Sequence, residues 1–180
     1  MSARGLVYSR FNQNDYAYEH LGLSPKLENN WCAMCATPLS ISNVLDIELY
    51  PSALNEYLKQ NELKHPGQFL AGKDRNEIIW NSLTKLFPFL SLSADLWNGE
   101  SYPDIQTIRP YAIVTVDGNQ IRPGYQSHFL MFHHWKEDFG KIVNAYCFDP
   151  FYGAWNYVKP LYGQDINRIF HSIINIRRKA

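Results

Sequence analysis

The stretch Trp31-Cys32-Ala33-Met34-Cys35 sets two thiols just ahead of a segment that reads as helical. The start of a helix carries partial positive charge and unbonded N–H groups. Both lower the pKa of a thiol placed there, and the N–H groups can cradle a developing oxyanion. Either Cys32 or Cys35 could therefore act as a nucleophile; the plain structural alternative is a small buried hydrophobe. A partner for such a thiol lies about a hundred residues later. Residues 128–135 and 142–148 read as two strands joined through Lys136-Glu-Asp-Phe-Gly-Lys141. A regular register that pairs Trp135 with Ile142 brings His128 opposite Asp149. Directly opposed side chains on one face have Cβ atoms about 4.5–5.5 Å apart, close enough for a carboxylate to orient an imidazole and fix its tautomer. The chemistry these residues suggest is nucleophilic catalysis by a thiol with a histidine base.

The elements that must position them fall into two halves. From about Leu21 to Leu92 the signals are mostly helical. Thr37-Pro38 resembles an N-cap followed by a first-turn proline, with Leu39, Ile41, Val44 and Leu45 behind it. Pro51 opens a second helix with Leu54, Tyr57 and Leu58 on one face. Asp74 with Glu77 three residues on resembles a capping box for a third, bearing Ile79, Leu83, Leu86 and Phe87 and stopped by Pro88. From Pro110 the character turns to short β-rich runs at 111–116, 128–135, 142–148 and 168–176. Residues 93–106 are too irregular to assign. Helices first and strands later predict an α+β fold, with no internal repeat and no low-complexity linker.

Composition narrows the classes. Of the 180 residues, 46% are hydrophobic and 19% charged, enough to bury a core in a single domain. Seventeen basic residues balance seventeen acidic ones, so the net charge of zero gives no electrostatic reason to expect a nucleic-acid partner. No apolar run is long enough to span a bilayer. The first ten residues lack the apolar core of a signal peptide, so cytoplasmic synthesis is expected. Three cysteines do not make a disulfide framework.

Taken in order, several motifs resemble the papain-fold peptidases, and among them the bacteriocin-leader-processing (double-glycine) type and its bacterial and bacteriophage relatives. They are Cys32-Ala33-Met34, Leu54-Asn55 with Leu58-Lys59, Ile79-Trp80-Asn81-Ser82-Leu83 running to Leu86-Phe87-Pro88, His128-Phe129-Leu130, and Asp149-Pro150 with Gly153. The resemblance runs over roughly residues 6 to 165. It implies a papain-like α+β domain spanning residues 1–180, with a helical lobe at 1–92 packed on an antiparallel β lobe at 107–176. It implies Cys32 as nucleophile, with Cys35 the alternative, His128 as base and Asp149 as orienting residue. An upstream glutamine would bind the oxyanion; Gln13 is the candidate, although Arg10 falls closer to the motif position when no residue is inserted. The substrate would be a peptide, in a protein or in the peptide cross-links of peptidoglycan, and no cofactor or metal is implied.

Two other classes compete. One is a catalytically silent adaptor on the same fold, a component of a phage particle that contacts other phage structural proteins, since fold alone does not assign function. The other is a redox protein using Trp31-Cys32-x-x-Cys35, although the residues before it, Lys26-Leu27-Glu28-Asn29-Asn30, form a polar loop and not the apolar strand such a site follows. A metal site is disfavoured because Cys32-x-x-Cys35 has no second paired motif. His133 and His134, as strand neighbours, should also point to opposite faces. His20, His65 and His171 read as surface or groove-lining residues, and Arg177-Arg178-Lys179 as a solvated end.

Overall fold

The computed structural model describes residues 31–96, 101–120, 127–161, 163 and 165–179. Among these residues three helices, α1 (Trp31–Leu45), α2 (Pro51–Lys64) and α3 (Arg75–Leu86), precede a six-stranded sheet. Its strands are β1 (Leu90–Asp95), β2 (Ile113–Val116), β3 (His128–Asp138), β4 (Lys141–Asp149), β5 (Ala154–Val158) and β6 (Phe170–Arg178). Their order is β1-β6-β2-β3-β4-β5, with every neighbouring pair antiparallel. This is an α+β arrangement of helices and antiparallel sheet, as the order of signals in the chain predicts.

Both faces of the sheet are covered. Alternation along the strands sends Ile113, Phe129, Ile174 and Ile176 toward the helices, where they meet Met34, Ile41, Leu54, Ile79 and Leu83. Val114, Leu130, Phe132, Phe170 and Ile173 point the other way, onto Ile105, Ile108 and Ile166 from two loops with short 3₁₀ turns. No helix among the described residues is long and apolar enough to cross a membrane.

α1 departs from expectation. Thr37-Pro38 does not start it; the helix already runs from Trp31, and Pro38 lies in its interior. An interior proline removes one backbone bond and costs roughly 3 kcal/mol. Here the helix is buried around nearly its whole circumference. Met34, Leu39, Ile41 and Leu45 alone bury four large side chains, at about 1.5–3 kcal/mol each, which outweighs the loss. Buried hydroxyls on α1 are used to tie it down. Ser40 donates to the carbonyl of Tyr111, and Ser42 Oγ accepts from the Leu49 N–H at 3.0 Å.

The other two helices follow their signals closely. Pro51 is the first residue of α2, and Leu54 and Leu58 are buried, while Tyr57 stays exposed and meets Phe87 edge-on. Asp74 caps α3 by accepting from the Glu77 N–H at 2.9 Å. The connection between α2 and α3 is strapped to both helices. The Glu62 carboxylate accepts from the N–H groups of Gly67, Phe69 and Leu70, and Asn81 Nδ2 donates to the Ala71 carbonyl.

The hairpin differs in register from the regular one. β3 runs on to Asp138 and β4 starts at Lys141, so the connection is the two-residue turn Phe139-Gly140, not a six-residue loop. Both turn residues have positive φ, 49° and 76°, as favoured two-residue hairpin turns require. Trp135 pairs with Ala145, not Ile142, and the register shifts twice along the pair. The charged run 136–138 is strand whose end projects into solvent, which is why it reads as loop. One of the shifts leaves His133 as the extra residue of a bulge. His133 and His134 therefore do not point to opposite faces; their Nδ1 atoms are 2.7 Å apart.

A Cβ at Gly72 would lie 2.7 Å from the backbone N of Ile78 and 3.0 Å from the carbonyl carbon of Glu77, atoms that cannot move without shifting the first turn of α3. Gly72→Ala is expected to destabilise the fold by about 1–3 kcal/mol, read as a lower urea midpoint at unchanged slope.

Candidate active site

Three elements converge on one cluster. Cys32 lies in the first turn of α1, His128 is the first residue of β3, and Asp149 is the last residue of β4. His128 Nε2 is 2.6 Å from Asp149 Oδ1. The other side of the ring is hydrogen-bonded to Cys32, whose sulfur is also bonded by the backbone N–H of Phe129. With Nε2 committed to the carboxylate, Nδ1 is the ring nitrogen left for the thiol. The same Asp149 Oδ1 accepts from the Phe151 N–H at 2.9 Å. Asp149 is thus a turn-forming aspartate before Pro150 and the partner of the histidine at once.

The register explains the His128–Asp149 contact differently from simple opposition. Met131 pairs with Phe148, so continuing the ladder sets Asp149 across from Leu130. His128 is then its diagonal neighbour, two residues along and on the same face, within reach of a long side chain.

The electrostatics follow from these contacts. Burial pushes the Cys32 thiol up, but the hydrogen bond and charge of His128, the Phe129 N–H and the charge of Arg75 outweigh it and bring the thiol below its ordinary value. Burial pushes His128 down, but its bonds to Asp149 and Cys32, with the charges of both, carry it to about 9. The two shifts run the same way: they favour the thiolate and the imidazolium over the neutral pair. No acidic residue lies in the first turn of α1 to oppose the thiolate.

The two other cysteines are differently placed. All three are thiols without a disulfide. Cys35 is fully buried among Leu39, Met131 and Phe148. Cys147 is fully buried too; desolvation, and then the charge of Asp149, push it well above the ordinary thiol range. Cys32 keeps 8% of its surface exposed and is the one that meets His128. Gln13 and Arg10, the sequence candidates for the oxyanion, lie outside the described residues, as does His20. His65 is exposed and His171 half-buried. Among the described residues, no group of three or more His, Cys, Asp or Glu side chains is placed to hold a metal ion.

Two contributors were not singled out in the sequence. The Phe129 N–H is a donor only because β3 starts beside the first turn of α1. Arg75, the first residue of α3, reaches the site through the fold alone, and no local motif marks it. No family model matches the chain, and no curated protein or solved structure is significantly similar to it.

The lowered thiol and raised imidazole set a pH window with a definite sign. The thiolate forms as pH rises through a value below that of an ordinary thiol, about 8.5. The imidazolium is lost as pH rises through about 9. Iodoacetamide should therefore label Cys32 at lower pH than an ordinary thiol, with a second inflection near 9, while Cys35 and Cys147 stay slow in the folded chain. His128→Ala should return Cys32 to ordinary, slower labelling. Mass spectrometry of each cysteine across pH 5–10 checks this.

Proposed function

We propose that this protein is a papain-fold, cysteine peptidase-like hydrolase that cleaves a peptide bond through an acyl-thioester. The observation that carries the reading is the buried chain of contacts from Cys32 to His128 to Asp149, which joins a thiol in the first turn of a helix to a histidine held by a carboxylate. Its supporting frame is a helix bearing the thiol packed on an antiparallel sheet bearing the other two groups.

In this reading the Cys32 thiolate attacks the carbonyl carbon and forms the C–S bond, and the carbonyl electrons move to oxygen. The backbone N–H of Cys32, in the first turn of α1, steadies that oxyanion in this reading. The intermediate collapses as the C–N bond breaks, and the leaving amine takes the proton from His128. A water then gives a proton to the neutral His128 and attacks the thioester. The C–S bond breaks, releasing the acid and restoring the thiolate–imidazolium pair. Asp149 holds the ring in one orientation throughout. An extended peptide is the substrate class, with cell-wall peptide cross-links in a phage setting one form of it.

Cleavage of a mixed peptide pool and of peptidoglycan fragments, followed by mass spectrometry, tests the proposal. Cys32→Ala should abolish turnover while leaving the thermal melt in place, and His128→Ala should lower it by roughly 10²–10⁴-fold. A folded wild-type chain whose product pattern is the same as that of a Cys32→Ala/His128→Ala double variant would overturn the hydrolase and favour the adaptor. A reversible Cys32–Cys35 disulfide near physiological potential would favour the redox protein.

A further inference from the structure

Arg75 has no step in the mechanism above, yet its charge bears on Cys32. Its guanidinium carbon lies 6.0 Å above the centroid of the Phe129 ring. Phe129 is wholly buried, and its backbone N–H is bonded to the Cys32 sulfur. Phe129 thus meets the guanidinium with its ring and the thiol with its backbone, and the positive charge of Arg75 acts on Cys32. Arg75 itself remains half-buried, with part of its surface open to solvent.

The placement is held from several sides. Asp74 caps the helix that Arg75 begins. Asn76 Oδ1 accepts from Thr115 Oγ1 at 2.5 Å, and Thr115 is the cross-strand partner of Phe129. The first turn of α3 is thus pinned to the same β2–β3 pair that carries His128. Close passage of Gly72 against Ile78 fixes the chain as it arrives.

A guanidinium offers a planar fork of donors that matches a carboxylate in geometry and charge. We infer that Arg75 forms an anion subsite next to the nucleophile, so that the preferred substrate carries a carboxylate close to the scissile carbonyl, as an acidic side chain or as a free C-terminus. The inference rests on Cys32 being the nucleophile of the proposed hydrolase and narrows its substrate class to acidic peptides.

The test separates binding of an anion from activation of the thiol. Iodoacetate and iodoacetamide react with the same thiolate and release the same iodide; one is an anion and the other neutral. The ratio of their rates at Cys32 cancels the thiolate fraction. In Arg75→Gln that ratio should fall at least about 10-fold, the equivalent of one charge-assisted hydrogen bond, and Arg75→Lys should recover part of it. On the unaltered chain, the ratio should fall as salt rises from about 10 to about 500 mM. A ratio that neither Arg75→Gln nor salt changes overturns the subsite, even where both rates drop together; Arg75 would then only steady the thiolate.

A peptide arm distinguishes the two sources of the carboxylate. Amidated peptides with Glu or Gln near the cleaved bond test the side chain, and free against amidated C-termini test the terminus. The acidic member of one pair should be favoured at least about 10-fold in kcat/KM, mainly through KM, and lose that advantage in Arg75→Gln. Equal kcat/KM within both pairs overturns the acidic-peptide preference. If no peptide is cleaved by any form while the alkylation ratio still depends on Arg75, the hydrolase reading fails and the anion subsite stands.

Discussion

Cys32 and His128 are 8% and 2% exposed, and withdrawing a thiolate or an imidazolium from water alone costs several kcal/mol. The thiol is nevertheless lowered and the imidazole raised, because neighbouring charges and donors favour the charged forms. His128 gives the sulfur a hydrogen bond and a charge, the Phe129 N–H adds a directed donor, and Arg75 adds a full charge. On the other side Asp149 bonds the ring at 2.6 Å, and is itself tied by the Phe151 N–H. No one of these contacts offsets two desolvation penalties. Their convergence from α1, α3, β3 and β4 is what the rest of the fold has to secure.

α1 is the element that bears most of that requirement. It is buried nearly all round, and it accepts a proline in its interior because its packing outweighs one missing backbone bond. Being enclosed also restricts how it can slide. Ser40 ties it to Tyr111, and Tyr111, at φ 71°, is held in a left-handed conformation between that bond and its own N–H donated to the Phe132 carbonyl at 2.7 Å. Asn43 anchors the far end, donating to the Leu39 carbonyl and lying 3.8 Å from the Met131 sulfur. The helix is therefore fixed against β2 and β3, the pair in which Val116 and His128 face each other.

How much of this the sequence discloses depends on whether the deciding signal is local. α3 is legible because Asp74, Glu77 and the Ile79–Leu83–Leu86 spacing are all within one helix. β1 and β5 are not, since both lie at sheet edges, where half-exposed strands carry weak alternation. The meeting of His128 and Asp149 is readable for a reason that regular counting hides. Regular pairing of Trp135 with Ile142 misplaces the ladder by two residues at its far end, and an even displacement keeps each side chain on the same face. A displacement of one would have turned His128 away. α1 is misjudged at its start because Pro38 looks like a boundary, and only tertiary burial overrides that preference. Arg75 is invisible for the opposite reason: its neighbour Phe129 is more than fifty residues away along the chain.

Three thiols in one core show that residue type alone does not decide chemistry. Cys35 points among apolar side chains and has the role of a small hydrophobe. Cys147 lies two residues before Asp149 on β4, and burial together with the negative charge of that carboxylate keeps it protonated. Cys32 feels the same carboxylate only through His128, which Asp149 holds in its charged form. Relayed through an imidazolium, the sign of the effect is reversed, because what reaches the sulfur is a positive charge and a donated hydrogen bond. One aspartate thus helps to raise one thiol directly and to lower another through His128. Whether a titratable ring stands between a thiol and that carboxylate sets the direction in which the carboxylate moves it.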